Sequence, residues 1–260
     1  MMHNWPMSLA ASSLMLLLSR PAGAADFTLL TTGAFKQAAL ALVAGFEAGS
    51  GDHVTIEADT AGGVLRRIKS GHGADVVIVT PAVIDGLITD GALVPGSRRD
   101  VAQVGIGVAV RAGGPRPDLS SAERFRAALL AAPAVAIVDP ASGGSSGIYL
   151  TALFVRLGIA DAMAIKLVRV NAGLAASAVA DGRASMALQQ VSELLTTPGV
   201  EFVGPLPDSV QNVTVYSAGL SAHAAEGSDR LLSALTGPTA AAVVRSKGMS
   251  SPPSSGRGPG

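Results

Sequence analysis

Four short stretches of this chain combine glycine with Ser, Thr or Asn, and each lies where an apolar run gives way to helical periodicity. They are Thr31-Thr32-Gly33-Ala34, Thr60-Ala61-Gly62-Gly63, Ser142-Gly143-Gly144-Ser145-Ser146-Gly147 and Asn171-Ala172-Gly173. Such a loop places unpaired backbone N–H groups and hydroxyls at a helix start. There the positive end of the helix dipole makes a ready anion site. One such loop reads equally well as an ordinary helix cap. Four in one chain point to one anion held by several loops, with Thr32, Gly33, Gly62, Gly63, Ser145, Ser146 and Asn171 as its contacts. Arg66 and Arg67 lie one turn into the helix after the second loop. Helical side chains lean toward the N-terminus, so one of the pair reaches an anion held there. The planar guanidinium grips a carboxylate at two points; the alternative is a solvated helix face. Gln189-Gln190 and Ser192-Glu193 close a later strand on the same side. Their polar groups either bind the ligand or cap a turn.

Other chemistries fit less well. Gly143-Gly144-Ser145-Ser146-Gly147 matches the G-x-S-x-G nucleophile elbow. That elbow follows its strand directly, whereas Asp139-Pro140-Ala141-Ser142 intervenes here and His223 is the one histidine downstream. No Gly-Lys-Ser/Thr follows a glycine-rich loop, and no G-x-G-x-x-G follows the first strand. His3, His53, His72 and His223 are scattered, and cysteine is absent. Disulfides and thiolate metal sites are therefore excluded, and neither a metal nor a cofactor is expected. A formal charge of +0 with 3% aromatics gives no basic, stacking surface for nucleic acid.

The elements that must position these loops alternate. Phe27–Thr31, Val54–Ile56 and Ala74–Val79 read as strands, each followed by a helical pattern, the first being Phe35, Ala38, Ala39, Leu42, Val43 and Phe46. Val104–Val110 is a long strand, and a Gly/Pro-rich stretch, Ala112–Pro117, follows it. The rhythm then restarts with strands at Val135–Val138, Leu167–Val170 and Met186–Leu188. A further strand at Val213–Ser217 precedes helices near Asp229–Leu235 and Pro238–Lys247. This argues for parallel sheet with helices on its faces, in two α/β units. Ser8–Ser19 is an apolar run too short to span a bilayer comfortably, and Pro21-Ala22-Gly23-Ala24 supplies small residues for cleavage near Ala24 or Ala25. No Lys or Arg precedes that run. Residues 1–25 are thus expected to be a signal peptide and 250–260, rich in Ser, Pro and Gly, a disordered tail.

Over Phe27 to Met249 the chain resembles the periplasmic molybdate-binding-protein-like solute receptors of ABC transporters. The resemblance rests on Leu30-Thr31-Thr32-Gly33-Ala34-Phe35, Ala74-Asp75-Val76-Val77-Ile78, Asp139 through Ile148, Gln189 through Leu195 and Val215-Tyr216-Ser217-Ala218-Gly219. It implies two Rossmann-like α/β lobes with a ligand cleft between them. Lobe 1 would be residues 26–104 with 213–249 returning to it, and lobe 2 residues 105–212. It implies a periplasmic monomer with a small anionic ligand and a membrane permease as partners. Molybdate receptors use hydroxyls, backbone N–H groups and one tyrosine. The matching positions are Thr32, Gly62 or Gly63, Ser146, Asn171 or Ala172, and Gln190 in the tyrosine's place. Glycines in the second loop, the glutamine, and the nearby Arg66 and Arg67 favour an organic carboxylate over molybdate or tungstate. A branch of the family resembles aconitate isomerase, which shifts a proton beside a carboxylate. For that alternative the base is open among Glu193, Tyr216 and His72. A molybdate uptake receptor is the remaining alternative.

Overall fold

The first element among the described residues is a strand, β1 (Asp26–Thr32), that runs straight into helix α1 (Gly33–Ser50). The computed structural model describes residues 23–171 and 173–252. Most of the expected leader and tail lies outside those residues. Ser250, expected in the tail, is described: its N–H and C=O both bond Gln103. Along α1, Ala34, Phe35, Ala38, Ala39, Leu42 and Val43 are buried, a stripe at helical spacing that faces the sheet. Gly51 ends the helix at φ 78 and donates its N–H to the Glu47 carbonyl, a left-handed stop that glycine adopts without strain.

Strands β2 (His53–Asp59) and β3 (Val76–Val79) flank β1 in parallel, linked by α2 (Ala61–Lys69), and α3 (Pro81–Thr89) follows. β3 is Val-Val-Ile-Val and buried throughout, as a strand covered on both faces must be. Next come β4 (Arg99–Arg111), α4 (Ala122–Ala131), β5 (Val135–Val138), α5 (Ser145–Arg156), α6 (Ala160–Ala164) and β6 (Leu167–Val170). Then follow α7 (Ser177–Ala180), β7 (Met186–Gln190), α8 (Val191–Leu194), β8 (Val200–Pro205), β9 (Val213–Leu220), α9 (Ser228–Thr236) and α10 (Ala240–Ser246). β5 is parallel to both β6 and β7.

The sheet order is β2-β1-β3-β9-β4-β7-β5-β6, with β8 also on β4. The parallel pairing expected from the rhythm holds inside each set of strands, but the sets are joined by antiparallel pairs. β9 runs antiparallel to β3 and β4, and β4 antiparallel to β7 and β8. β4 does two jobs. Arg99 to Gly105 pair with β9, while Ile106 to Val110 pair with β7. Two lobes result, each α/β. One packs Phe27, Phe35, Val76 and Tyr216 under α1, α9 and α10. The other packs Ile106, Phe125, Phe154 and Leu188 between β5, β7, α4 and α5.

Where β4 changes partner, the side chain of Gln211 stands in for a strand. Its Oε1 accepts from the Ile106 N–H and its Nε2 donates to the Ile106 carbonyl, both at 2.9 Å. A buried N–H left without a partner costs about 1–3 kcal/mol. Gln211→Leu is therefore expected to lower unfolding free energy by about that amount, with the denaturant slope unchanged. Urea titration followed by circular dichroism checks it.

Candidate functional site

The strands of both lobes deliver their carboxyl ends to one place, a cavity of about 250 Å³. In open α/β sheets this is where ligands bind. Thr32 and Gly33 reach it from β1 and α1, Ala58 to Thr60 from the end of β2, and Val138 from the end of β5. Gly144, Ser145 and Ser146 come from the start of α5, Gly173 and Leu174 from the loop after β6, and Gln190, Ser192, Glu193 and Thr196 from the end of β7 and α8. Tyr216 of β9 forms part of the wall. Ala34, Ala58, Val138 and Leu174 give that wall apolar faces.

The donors are uncharged. Neither α1 nor α5 has a side-chain cap at its N-terminus, so their first-turn N–H groups are free for an anion. Gly147 makes α5 start where it does: a Cβ there would lie 2.0 Å from the Val138 carbonyl oxygen. Thr32 and Gln190 are 3% and 2% exposed, yet Thr32 Oγ1 and Gln190 Oε1 make no hydrogen bond with the described residues. Gln190 uses its amide N–H on Thr214 Oγ1 at 3.0 Å. Buried polar atoms are almost always partnered, so two orphans in one cavity mark a place built for another molecule. The Tyr216 hydroxyl faces Ser145, Gln190 and Thr32.

The second loop behaves differently from the expectation. Gly62 and Gly63 do not line the cavity. The N-terminus of α2 is already filled by the protein's own groups. Thr60 Oγ1 accepts from Gly63 N–H, and Gly62 N–H donates to the Gly143 carbonyl at 3.1 Å. The Asp59 carboxyl packs where a Gly63 side chain would stand, 2.1 Å from the Cβ position. The two glycines make room for these approaches. A Cβ on Gly62 would lie 2.8 Å from Gly143 Cα. The Thr60 hydroxyl also donates to the Ser142 carbonyl at 2.5 Å, so the second and third loops join the lobes across the cleft.

Neither arginine lines the cavity. Arg67 pairs with Glu57, which His72 also meets at 3.2 Å. That removes His72 from the site along with Arg67. Arg66 is exposed and donates to the Ser142 carbonyl at 3.2 Å. Asn171 is exposed and outside the lining, and Ala172 lies outside the described residues. Thr32, Gly33, Ser145, Ser146 and Gln190 are brought together, with Glu193 and Tyr216 beside them. The sequence reading missed Lys36 and Asp59. Lys36 carried a faint signal, since it stands four residues after Thr32 and so above it on the helix. Nothing local marked Asp59.

Glu193 is the chemically unusual group. The residue is partly exposed, but its carboxyl turns inward. A Cβ on Gly33 would lie 2.6 Å from Glu193 Oε1. Burial pushes the carboxyl up to about 8, and a hydrogen bond from Gln189 offsets part of that rise. Gln189 is fully buried and fixed by the Ala175 N–H, which donates to its Oε1 at 2.7 Å. Burial also raises the Tyr216 hydroxyl, and the nearby Glu193 charge raises it further. A proton held by the folded chain and released by the unfolded one makes stability fall as pH rises between the two pKa values. Here the window runs from the ordinary 4.5 to about 8. Glu193→Gln, alike in shape but never charged, is expected to flatten that part of the profile. It should melt several degrees above the parent at pH 8 and match it near pH 4.5. Calorimetric melting across pH checks this.

Among the described residues no cluster of three or more His, Asp or Glu could hold a metal ion, and no helix is long and apolar enough to cross a membrane. The fold is shared with solved anion-binding proteins. It superposes on the periplasmic molybdate-binding protein of Azotobacter vinelandii with a TM-score of 0.73 at 22% identity, over 87% of this chain and 100% of that one. The sulfate-binding protein of Mycobacterium tuberculosis gives 0.68 at 15% identity, over 86% of each chain. In sequence the chain is 32% identical over 248 residues to an aconitate isomerase from Pseudomonas sp., covering 90% of this chain and 93% of that one. Residues 27–250 match the bacterial extracellular solute-binding protein family. With its two lobes, its cleft at the strand ends and this match over nearly all the described residues, the chain belongs to that family.

Proposed function

We propose that this protein closes its two lobes on a small organic carboxylate and shifts a proton on it, as an isomerase of the aconitate isomerase kind. Residues 26–104 with 213–249 would form one wall of the clamp and 105–212 the other. The observation that carries the reading is Glu193. A carboxyl with a pKa of about 8 lines a cavity otherwise built to receive an anion, and such a value suits proton transfer near neutral pH. The apolar faces of Val138 and Leu174 suit a carbon skeleton, which a tetrahedral oxyanion lacks.

As carboxylate, Glu193 takes a proton from the carbon beside one ligand carboxylate. The electron pair spreads through the neighbouring double bond and onto that carboxylate. The Glu193 carboxyl then returns the proton at the far carbon, and the double bond moves one position. Atoms and oxidation state are unchanged. The uncapped N–H groups of α1 and α5, with the Thr32 and Ser145 hydroxyls, stabilise the charge that builds on the ligand oxygens. A second reading, a receptor that hands the same carboxylate to a membrane permease in the periplasm, is favoured by the family and by the loops that bridge the cleft. It needs the same binding residues and no turnover.

Two measurements separate these readings. Incubation with trans-aconitate in deuterated water is expected to yield cis-aconitate carrying deuterium, seen by proton magnetic resonance. Glu193→Gln should cut that rate by about 10²-fold or more while binding persists. Binding without turnover leaves the receptor reading. Ser146→Ala should weaken carboxylate affinity by roughly tenfold to hundredfold, the equivalent of one charge-assisted hydrogen bond, with little change in melting. Tight molybdate binding with no carboxylate response in calorimetry refutes both readings.

A further inference from the structure

We propose that Lys36 holds a second carboxylate at the mouth of the cleft, so that the site selects di- and tricarboxylates over monocarboxylates. This rests on the reading that the cleft takes an organic carboxylate.

The cleft has a polarity along its depth. At the inner end the anion donors are buried and uncharged: Thr32 and Ser146 are each 3% exposed, and the free N–H groups of α1 and α5 lie beside them. The orphaned Thr32 hydroxyl shows that this end is made for a ligand atom. Lys36 stands at the outer end. It is exposed, lines the same cavity and is the one Lys or Arg among the lining residues. It makes no ion pair or hydrogen bond with the described residues. The neighbouring cations are otherwise engaged, Arg67 by Glu57 and Arg66 by the Ser142 carbonyl.

Charge then decides what Lys36 is for. The cavity contains two acids, Asp59 and Glu193. A ligand carboxylate at the inner end needs no cation, because the helix ends and hydroxyls serve it. A second carboxylate farther out would meet those acids, and among the lining residues only Lys36 offers it a positive charge. A long, flexible ammonium stem suits such a mouth position, where reach matters more than a rigid fork. This placement sets the carbon skeleton between the two anchors, alongside Glu193.

The test is a ligand series in calorimetry: trans-aconitate with three carboxylates, itaconate with two and crotonate with one. Lys36→Met should weaken trans-aconitate and itaconate about tenfold and leave crotonate unchanged. The loss should shrink as salt rises, since the site is exposed, and Lys36→Arg should restore most of the affinity. Melting of the free protein should not move, because Lys36 has no partner to lose. Equal losses for all three ligands, or none, would overturn the Lys36 assignment while leaving carboxylate binding intact. Failure of the parent protein to bind any of the three would overturn the carboxylate reading itself, and the assignment with it.

Discussion

One strand belongs to both lobes. β4 hydrogen-bonds to β9 through Gly105 and to β7 from Ile106 onward, and the rest of the architecture follows from that change of partner. A strand has two edges and one twist. Sharing it fixes how the two parallel sets face each other and brings their carboxyl ends to a common cleft. The Gln211 side chain bonds both backbone groups of Ile106 at the changeover, between the end of pairing with β9 at Gly105 and the start of pairing with β8 at Gly107. Gln190, opposite Ile106 in the ladder, ties β7 to Thr214 of β9 and keeps its Oε1 for the cavity. The pivot of the fold and the floor of the site are therefore made of adjacent residues.

The helix N-termini around the cleft divide the work. The terminus of α2 is satisfied by Asp59, by the Thr60 hydroxyl and by the Gly143 carbonyl of the other lobe. It serves closure. The termini of α1 and α5 have no side-chain cap and remain for a ligand. The same dipole physics thus acts on the chain's own groups at one helix end and leaves the other two without a side-chain cap. The difference is set by whether an acid of the chain reaches the helix first. Glu193 stands between these cases. Its carboxyl lies against Gly33, where α1 begins. When it carries a proton it competes less with an incoming anion for that helix end.

Burial sets Glu193 apart from His72. Desolvation raises a carboxyl but leaves its geometry alone. Gln189, itself immobilised by the 173–175 loop, holds that carboxyl in place. His72 meets an acid, Glu57, outside the cavity.

The sequence by itself determined the repeating strand–loop–helix order and the family resemblance. Thr32-Gly33 and Ser145-Ser146, which the fold brings to one cavity, were legible because glycines and short hydroxyls at a helix start are a local property of a few consecutive residues. The tertiary structure decided which loops face the ligand and which face each other. Gly62 and Gly63 look the same in sequence as ligand-binding glycines, but their role depends on Gly143 from a distant part of the chain. Arg66 and Arg67 carry the right charge on the right helix, and only packing shows Glu57 waiting for one of them. β8 and the antiparallel joints through β4 and β9 were equally hidden, since pairing direction is set by the partner strand and not by a strand's own alternation. Lys36 and Glu193 gained their meaning together from one enclosed volume. Enclosure is a property of the folded surface, and no local run of residues encodes it.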